Sequence, residues 1–364
     1  MATKIPEIPN LILGGAGFGF QLHPDPESLP LRKILLRAFD LGLHAIDTSP
    51  YYEPSEQLLG AALSHPEIKY RFSREDIMTK VGRITEKEFD YSPAWIRKSV
   101  TRSLDRFQTT YLDVVFCHDV EFVAMEEAIS AVEVLLEFQR AGKIRRVGIS
   151  GYDIETLAQI ATAVRDRYGK PVNVVQTWAQ LTLQNLKVEK FGIDLFQAAG
   201  VTSVLCSSPL AVGLLRRGGI PKGLTGDWHP APPALRGVVQ TTAEWVGQQS
   251  ENMASVALRY AIAKSVQNCR PRLTVSTIMG VSTMTELEEN VATAKLCATT
   301  QELDEPAYKR GRPLYDHIQG ALGHWLDYDF AAPKDDARKQ MGDDGATKGN
   351  DVVEAAEISP ATSG

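Results

Sequence analysis

Short apolar segments alternate along the chain with longer segments of helical periodicity. The apolar segments are rich in Val and Ile and do not alternate with polar residues. This pattern is typical of strands that are buried on both faces of a parallel sheet. The sequence predicts eight such strands, at residues 11–15, 43–46, 77–79, 114–117, 147–149, 172–175, 201–206 and 274–278.

The intervening segments carry helix signals. Residues 31–39 place their apolar side chains on one helical face, and Gly42 stands where a glycine ends a helix. Ser92 followed by Pro93 is a favourable helix start. Similar patterns predict helices at residues 125–140, 153–167 and 189–199.

Eight strands, each followed by helical sequence, predict an α/β fold of the closed (β/α)₈ TIM barrel type. An open doubly wound sheet is the alternative. No Gly-x-Gly-x-x-Gly follows a strand and opens a helix, and Phe18, Phe20 and Pro24 argue against a helix directly after the glycines at 14–19. The barrel is therefore favoured.

Two segments interrupt the alternation. Residues 213–236 are rich in Gly and Pro and predict a long loop after the seventh strand, on the side of the barrel where active sites form. Residues 333–364 lack apolar periodicity and predict a disordered tail. The predicted organisation is one barrel over residues 1–332, followed by this tail.

Composition excludes several classes of protein. The formal net charge of −6 over 364 residues argues against a nucleic-acid partner. The first residues do not read as a signal peptide, and no apolar run is long enough for a membrane span. Four scattered cysteines predict neither a disulfide framework nor a metal site. We expect a cytoplasmic protein with reduced thiols, whose oligomeric state the sequence does not indicate.

Ionisable residues stand at the ends of three consecutive predicted strands. Asp47 follows the second strand, Lys80 the third and His118 the fourth, and Tyr52 lies five residues after Asp47. Each residue alone would be read as a turn, surface or packing residue. In a barrel these strand ends share one mouth, so together they predict a reaction centre.

The run from Asp47 to Tyr52, followed by Ser55-Glu56 and Gly60, resembles the signature of the aldo-keto reductase family. Further matches are Thr79-Lys80, the His after Val114-Val115-Phe116, residues 142–150, 208–215 and Glu289-Asn290. The resemblance extends from about residue 11 to 295. It implies a nicotinamide-dependent oxidoreductase that needs no metal.

The resemblance also implies the catalytic roles. Tyr52 transfers the proton, Lys80 lowers the pKa of Tyr52, Asp47 pairs with Lys80, and His118 orients the substrate oxygen. A tyrosine hydroxyl has a pKa of about 10 in water, and a nearby ammonium group stabilises the phenolate.

Cofactor contacts are implied in the same way. Ser150 and Gln176 match positions that hold the carboxamide, although Gly151 replaces the usual Asn; Gln176 could instead satisfy backbone at the strand end. Ser208 and Leu210 match the pyrophosphate segment, and Ser207 replaces an aromatic residue that stacks on the nicotinamide in many relatives. The adenosine segment at residues 279–290 contributes Gly280, Ser282, Thr283, Glu289 and Asn290.

The adenosine segment predicts NAD rather than NADP. Relatives that prefer NADP place Lys or Arg here, whereas this chain has Gly280 and Glu286. A carboxylate repels the 2′-phosphate. Glu286 could also complete a capping box begun by Thr283, and both roles are compatible.

The substrate is a small molecule, and the sequence most resembles the D-arabinose dehydrogenase and L-galactose dehydrogenase branch of the family. This implies oxidation of a free aldose at the anomeric carbon, with D-arabinose first and L-galactose or L-fucose next. Trp228 and His229 are candidate sugar contacts, or only loop anchors. The alternatives are an NADPH-dependent reductase of pyridoxal or small carbonyls and a non-catalytic nucleotide-binding barrel.

Overall fold

The computed structural model describes residues 7–70, 76–220, 229–298 and 302–330. The predicted tail at 333–364 and the candidate Trp228 lie outside these ranges. No helix in the described part of the chain is both long and apolar enough to cross a membrane.

Eight parallel strands close into a barrel in sequential order, which confirms the predicted fold. β1 pairs with β2 on one side and with β8 on the other, where Leu11 lies opposite Thr277 and Gly14 opposite Gly280. The strands are β1 (Leu11–Gly14), β2 (Ala45–Asp47), β3 (Asp76–Val81), β4 (Leu112–Cys117), β5 (Ile144–Gly151), β6 (Val174–Trp178), β7 (Ser203–Ser207) and β8 (Thr274–Gly280).

Helices surround the barrel. They are α1 (Leu31–Asp40), α2 (Ser55–Leu63), α3 (Pro66–Lys69), α4 (Pro93–Arg106), α5 (Met125–Arg140), α6 (Ile154–Tyr168), α7 (Ile193–Ala198), α8 (Pro233–Gln248), α9 (Met253–Gln267), α10 (Met284–Lys295) and α11 (Glu305–Leu322). A π-helical turn, Val188–Gly192, precedes α7, so the helix predicted at 189–199 begins irregularly.

The apolar periodicity of the sequence accounts for how these elements pack. All six residues of β4 are buried, as expected of a strand covered on both faces. The face of α1 that contains Ile34, Leu35 and Phe39 packs into the layer between barrel and helices. A separate apolar cluster that includes Ile12, Phe116 and Leu205 fills the inside of the barrel.

The glycine-rich turn and the long loop each differ in part from the prediction. Gly15–Phe18 forms a single 3₁₀ turn directly after β1. The loop after β7 ends earlier than the predicted residue 236, because α8 begins at Pro233. Proline is well tolerated in the first helical turn, so the Pro-rich end of the predicted loop starts a helix.

Candidate active site

The structure brings the four predicted catalytic residues together at the carboxyl ends of β2, β3 and β4. Asp47 is the last residue of β2, Lys80 is the penultimate residue of β3, and His118 directly follows β4. All three are 4 % exposed or less, and Tyr52 is half-buried on the loop that leaves β2. Burial of three ionisable side chains at one end of the barrel marks this mouth as the site.

Lys80 and Asp47 form a buried ion pair. Lys80 Nζ lies 2.8 Å from both carboxylate oxygens of Asp47 and 2.9 Å from the carbonyl oxygen of Thr48. An ammonium group has three protons to donate, so these acceptors use all of them. Lys80 Nζ is 5.2 Å from the centre of the Tyr52 ring.

The expected effect of Lys80 on the pKa of Tyr52 stays a prediction. Burial raises the pKa of Tyr52 well above its ordinary value, and the negative charge of Asp47 adds to the effect. The three hydrogen bonds of Lys80 go to Asp47 and Thr48 rather than to the phenol. Tyr52 is therefore a neutral phenol at neutral pH.

His118 is held as a neutral ring facing Tyr52. The two ring centres are 5.9 Å apart in an edge-to-face arrangement. Ser49 Oγ accepts the Tyr51 backbone N–H at 3.1 Å and lies 3.1 Å from His118 Nδ1, so its own proton is free to bond to that nitrogen. Burial and then the charge of Lys80 lower the pKa of His118 well below its ordinary value. This arrangement favours the tautomer in which Nε2 carries the proton.

Ser150 and Gln176 lie beside this centre, Ser150 near the end of β5 and Gln176 in the middle of β6. Ser150 Oγ is within 3.4 Å of the Cys117 carbonyl oxygen. Gln176 Nε2 donates to Asp47 at 3.3 Å, while Gln176 Oε1 is buried without a hydrogen-bond partner among the described residues. An unpaired buried acceptor is costly, and an amide N–H₂ of a ligand would satisfy it. The site therefore fits a nicotinamide carboxamide.

Gly151, where the resemblance expects an Asn, lies against the side chain of Glu121. A Cβ atom on Gly151 would lie 2.2 Å from Glu121 Oε2. The Glu121 carboxyl group occupies that space and accepts the backbone N–H of Tyr152. Burial, together with the charge of Asp119, raises the pKa of Glu121 to about 8.

The predicted pyrophosphate residues follow β7. Ser208 adopts a left-handed backbone conformation with φ of 58°, and its Oγ accepts the Val212 backbone N–H at 2.9 Å. Leu210, two residues further on, packs partly buried between two apolar clusters. Ser207 donates to the Thr177 carbonyl oxygen at 2.9 Å, so no aromatic face is presented at that position.

The predicted adenosine residues converge where β8 leads into α10. Asn290 Nδ2 donates to the Gly280 carbonyl oxygen at 3.2 Å. Thr283 caps α10 by accepting the Glu286 N–H at 3.1 Å, and Glu286 Oε2 accepts the Ser282 N–H at 2.8 Å. Thr283 therefore caps α10 as expected, but Glu286 bonds to the N–H of Ser282 rather than to that of Thr283, so the expected capping box is formed only in part.

One basic residue near this segment escapes the sequence reasoning. Arg217, in the loop after β7, has Nη2 3.5 Å from Glu289 Oε1. Arg217 is far from residues 279–290 along the chain, so a search for basic residues within that segment does not find it.

Of the two predicted sugar contacts, only His229 can be placed, and it lies within the loop structure. Its Nδ1 accepts the Ala231 backbone N–H at 3.0 Å, and its ring packs against the edge of Phe330. Burial lowers the pKa of His229 to about 4. These contacts are those of a loop anchor, and they leave Nδ1 unavailable to a sugar.

Sequence reasoning also missed a polar cluster beside the four predicted catalytic residues. Arg83 forms an ion pair with Asp119 and donates to Tyr152 Oη at 3.3 Å, and its guanidinium lies 4.2 Å from the centre of the Tyr51 ring. Arg83, Asp119 and Tyr152 each stand one or two residues beyond a strand end. The rule that selected Asp47 and His118 would have selected them too.

Comparison with curated proteins identifies two sugar dehydrogenases as relatives. The chain is 39% identical over 283 residues to D-arabinose 1-dehydrogenase of Saccharomyces cerevisiae, covering 76% of this chain and 80% of the relative. It is 32% identical over 261 residues to L-galactose dehydrogenase of Arabidopsis thaliana, covering 70% of this chain and 75% of the relative. L-Glyceraldehyde 3-phosphate reductase of Escherichia coli is 30% identical over 302 residues, and the alignment covers 75% of this chain and 81% of the relative.

Among solved structures, the holo form of an aldo-keto reductase from Bacillus halodurans has the same fold. It aligns with a TM-score of 0.58 at 23% identity, over 85% of this chain and 91% of that one. Residues 10–306 match the model of the aldo/keto reductase family. The chain therefore belongs to the aldo/keto reductase family, whose members are oxidoreductases that use nicotinamide cofactors.

Proposed function

We propose that this enzyme oxidises the anomeric carbon of a free aldopyranose to the lactone with NAD, with D-arabinose as the first substrate and L-galactose or L-fucose next. The observation that carries the proposal is the contact of Asp47, Lys80, Tyr52 and His118 at one barrel mouth. The names of the yeast and plant relatives support the substrate class.

Each residue of the site has a separate role in the proposed reaction. The nicotinamide of NAD, when held beside Gln176, would supply the acceptor for the hydride on C1 and a positive charge that favours the Tyr52 phenolate. Tyr52, as its phenolate, takes the proton of the C1 hydroxyl group, and the Nε2–H of His118 donates a hydrogen bond to the same oxygen. The Lys80–Asp47 ion pair, together with the hydrogen bond from Gln176 to Asp47, holds the side chains beside Tyr52 in place.

The preference for NAD is supported by the start of α10. Glu286 Oε2 accepts the Ser282 N–H. A carboxylate therefore occupies the N-terminus of α10, where a 2′-phosphate would otherwise accept hydrogen bonds from backbone N–H groups. Arg217, the nearby cation, is paired with Glu289. Binding of NADP would place its phosphate against these two carboxylates.

A second candidate is reduction of a small hydroxyaldehyde with NADPH. The Escherichia coli reductase favours it by its name, and the neutral Tyr52 phenol suits proton donation. A non-catalytic barrel has less support, because the contacts of the four catalytic residues are intact.

The proposal is tested by following NADH formation with purified enzyme and a panel of free aldoses, in parallel with NADP. We expect turnover of D-arabinose or L-galactose, the corresponding lactone as product, and kcat/KM for NAD above that for NADP by about tenfold, the size of a modest charge repulsion. Efficient NADPH oxidation with aldehydes and no turnover of any aldose would contradict the proposal in favour of the reductase.

A further inference from the structure

A buried ion pair next to His118 has no part in the proton transfer described above. The side chains of Arg83 and Asp119 are 10% and 6% exposed. Removing two charges from water is unfavourable, and the attraction between the two charges rarely exceeds that desolvation free energy. The pair therefore calls for a reason beyond folding.

The backbone holds Asp119 in an unusual conformation at this point. Asp119 has φ of 59° and ψ of 61°, in the left-handed region, directly after the catalytic His118. A non-glycine residue adopts this conformation at some energetic cost, and such residues cluster at functional sites. The conformation directs the side chain back towards the histidine.

His118 and Asp119 lie close to each other without bonding directly. Asp119 Oδ2 is 3.7 Å from His118 Nε2, which is too long for a direct hydrogen bond. Arg83 and Tyr152 Oη both contact this same Oδ2, and Tyr152 lies 3.4 Å from it. Two adjacent oxygens of one ligand can therefore bind side by side, one at His118 and one at Asp119.

The chemistry of this cluster selects a hydroxyl group as the second oxygen. A carboxylate only accepts hydrogen bonds, so it attracts an O–H donor and disfavours an oxygen without a proton. Burial raises the pKa of Asp119, and the directly bonded Arg83 guanidinium opposes that rise. The ion pair with Arg83 therefore favours the charged form of this acceptor.

We propose that Asp119 is a specificity-determining residue that accepts the hydroxyl group on the carbon next to the reacting carbon, and that Arg83 positions it. The site then selects α-hydroxy carbonyl compounds and their cyclic forms over simple aldehydes. This inference rests on the proposed function, whose substrate class it narrows.

The test compares two substrates that differ only in that hydroxyl group. 2-Deoxy-D-ribose lacks the C2 hydroxyl and otherwise has the configuration of D-arabinose. For the wild-type enzyme we expect kcat/KM to be about 100-fold higher for D-arabinose, as for loss of a hydrogen bond to a buried charge. In Asp119→Asn the ratio should fall to about fivefold or less, mainly through loss of activity on D-arabinose.

Wild-type enzyme that oxidises both sugars equally well would overturn the inference without any variant. So would an Asp119→Asn enzyme that keeps the full ratio, once its circular dichroism and NAD affinity show an intact fold. If no sugar is oxidised, the proposed function fails, and glycolaldehyde against acetaldehyde in the reductive direction makes the same comparison. Equal reduction of those two aldehydes would then reject the role of Asp119 separately.

Discussion

At the scale of single residues, the protonation of Tyr52 depends on where the Lys80 protons are directed. All three point to Asp47 and Thr48, and burial raises the pKa of the Tyr52 phenol. The ground state is therefore set for proton donation, whereas oxidation requires the phenol to lose its proton. His118 stays neutral because burial lowers its pKa.

These pKa directions predict the pH dependence of aldose oxidation. Below its pKa Tyr52 is protonated and cannot accept the substrate proton, so kcat/KM at saturating NAD should rise with pH from 6 to 9. The slope should approach tenfold per pH unit, as expected for one essential ionisation. His118 should add no acidic limb, because its pKa lies well below 6.5.

The check is a pH profile of the wild-type enzyme beside that of His118→Asn. An inflection near pH 6.5 that is present in the wild type and absent from the variant would show that His118 titrates. That result would contradict the neutral, buried ring.

Individual residues also show the limit of sequence reasoning. Asp47, Lys80 and His118 could be predicted because each stands at a strand end. The direction of the Tyr52 pKa could not, because it depends on burial and on how Lys80 divides its hydrogen bonds. The contacts of His229 could not be predicted either, because nothing in the sequence shows that its ring is buried against Phe330.

At the scale of helices and strands, the Ser-Glu and Gly60 of the signature have a structural role. Glu56 at the start of α2 accepts hydrogen bonds from Thr79 on β3 and from Ser103 and Arg106 on α4. Four residues later, a Cβ on Gly60 would lie 1.9 Å from the carbonyl oxygen of Arg106. Only glycine allows α2 and α4 to approach this closely.

Gly60→Ala is therefore expected to lower the free energy of unfolding by about 1–3 kcal/mol, the usual cost of overpacking. Gly237→Ala in the exposed part of α8 is the matched control, since a Cβ there meets nothing within 4 Å. The control should be unchanged or stabilised by up to about 1 kcal/mol, because alanine favours the helix. Urea unfolding measures both, and equal stability of Gly60→Ala and the wild type would reject the close approach.

Most elements could be predicted from the apolar pattern, but their ends could not. All eight strands are present, with bounds that differ by up to three residues. The start of α8 was missed because Pro232 and Pro233 suggest a loop, although Pro233 sits in the first helical turn. The π turn before α7 leaves no apolar signal of its own.

At the scale of the whole molecule, closure of the barrel is what assembles the site. Asp47, Lys80 and His118 are far apart along the chain, and the parallel register of β2, β3 and β4 places their ends at one mouth. The fold was predictable because eight strand-and-helix units leave few alternatives. Arg83 and Asp119 follow strand ends and could have been selected by the same rule, but their pairing with each other could not be predicted, because it depends on side-chain contacts in the closed barrel.

The central claim, that Tyr52 transfers the proton in aldose oxidation, is tested most directly by Tyr52→Phe. Tyr168→Phe is the matched control, because it removes a phenolic hydroxyl group on the outer helix α6 that hydrogen-bonds to Glu133 and Arg167. With D-arabinose and NAD we expect kcat to fall about 1,000-fold in Tyr52→Phe and to stay unchanged in Tyr168→Phe, with NAD affinity retained in both. A Tyr52→Phe enzyme that oxidises D-arabinose at the wild-type rate would contradict the mechanism.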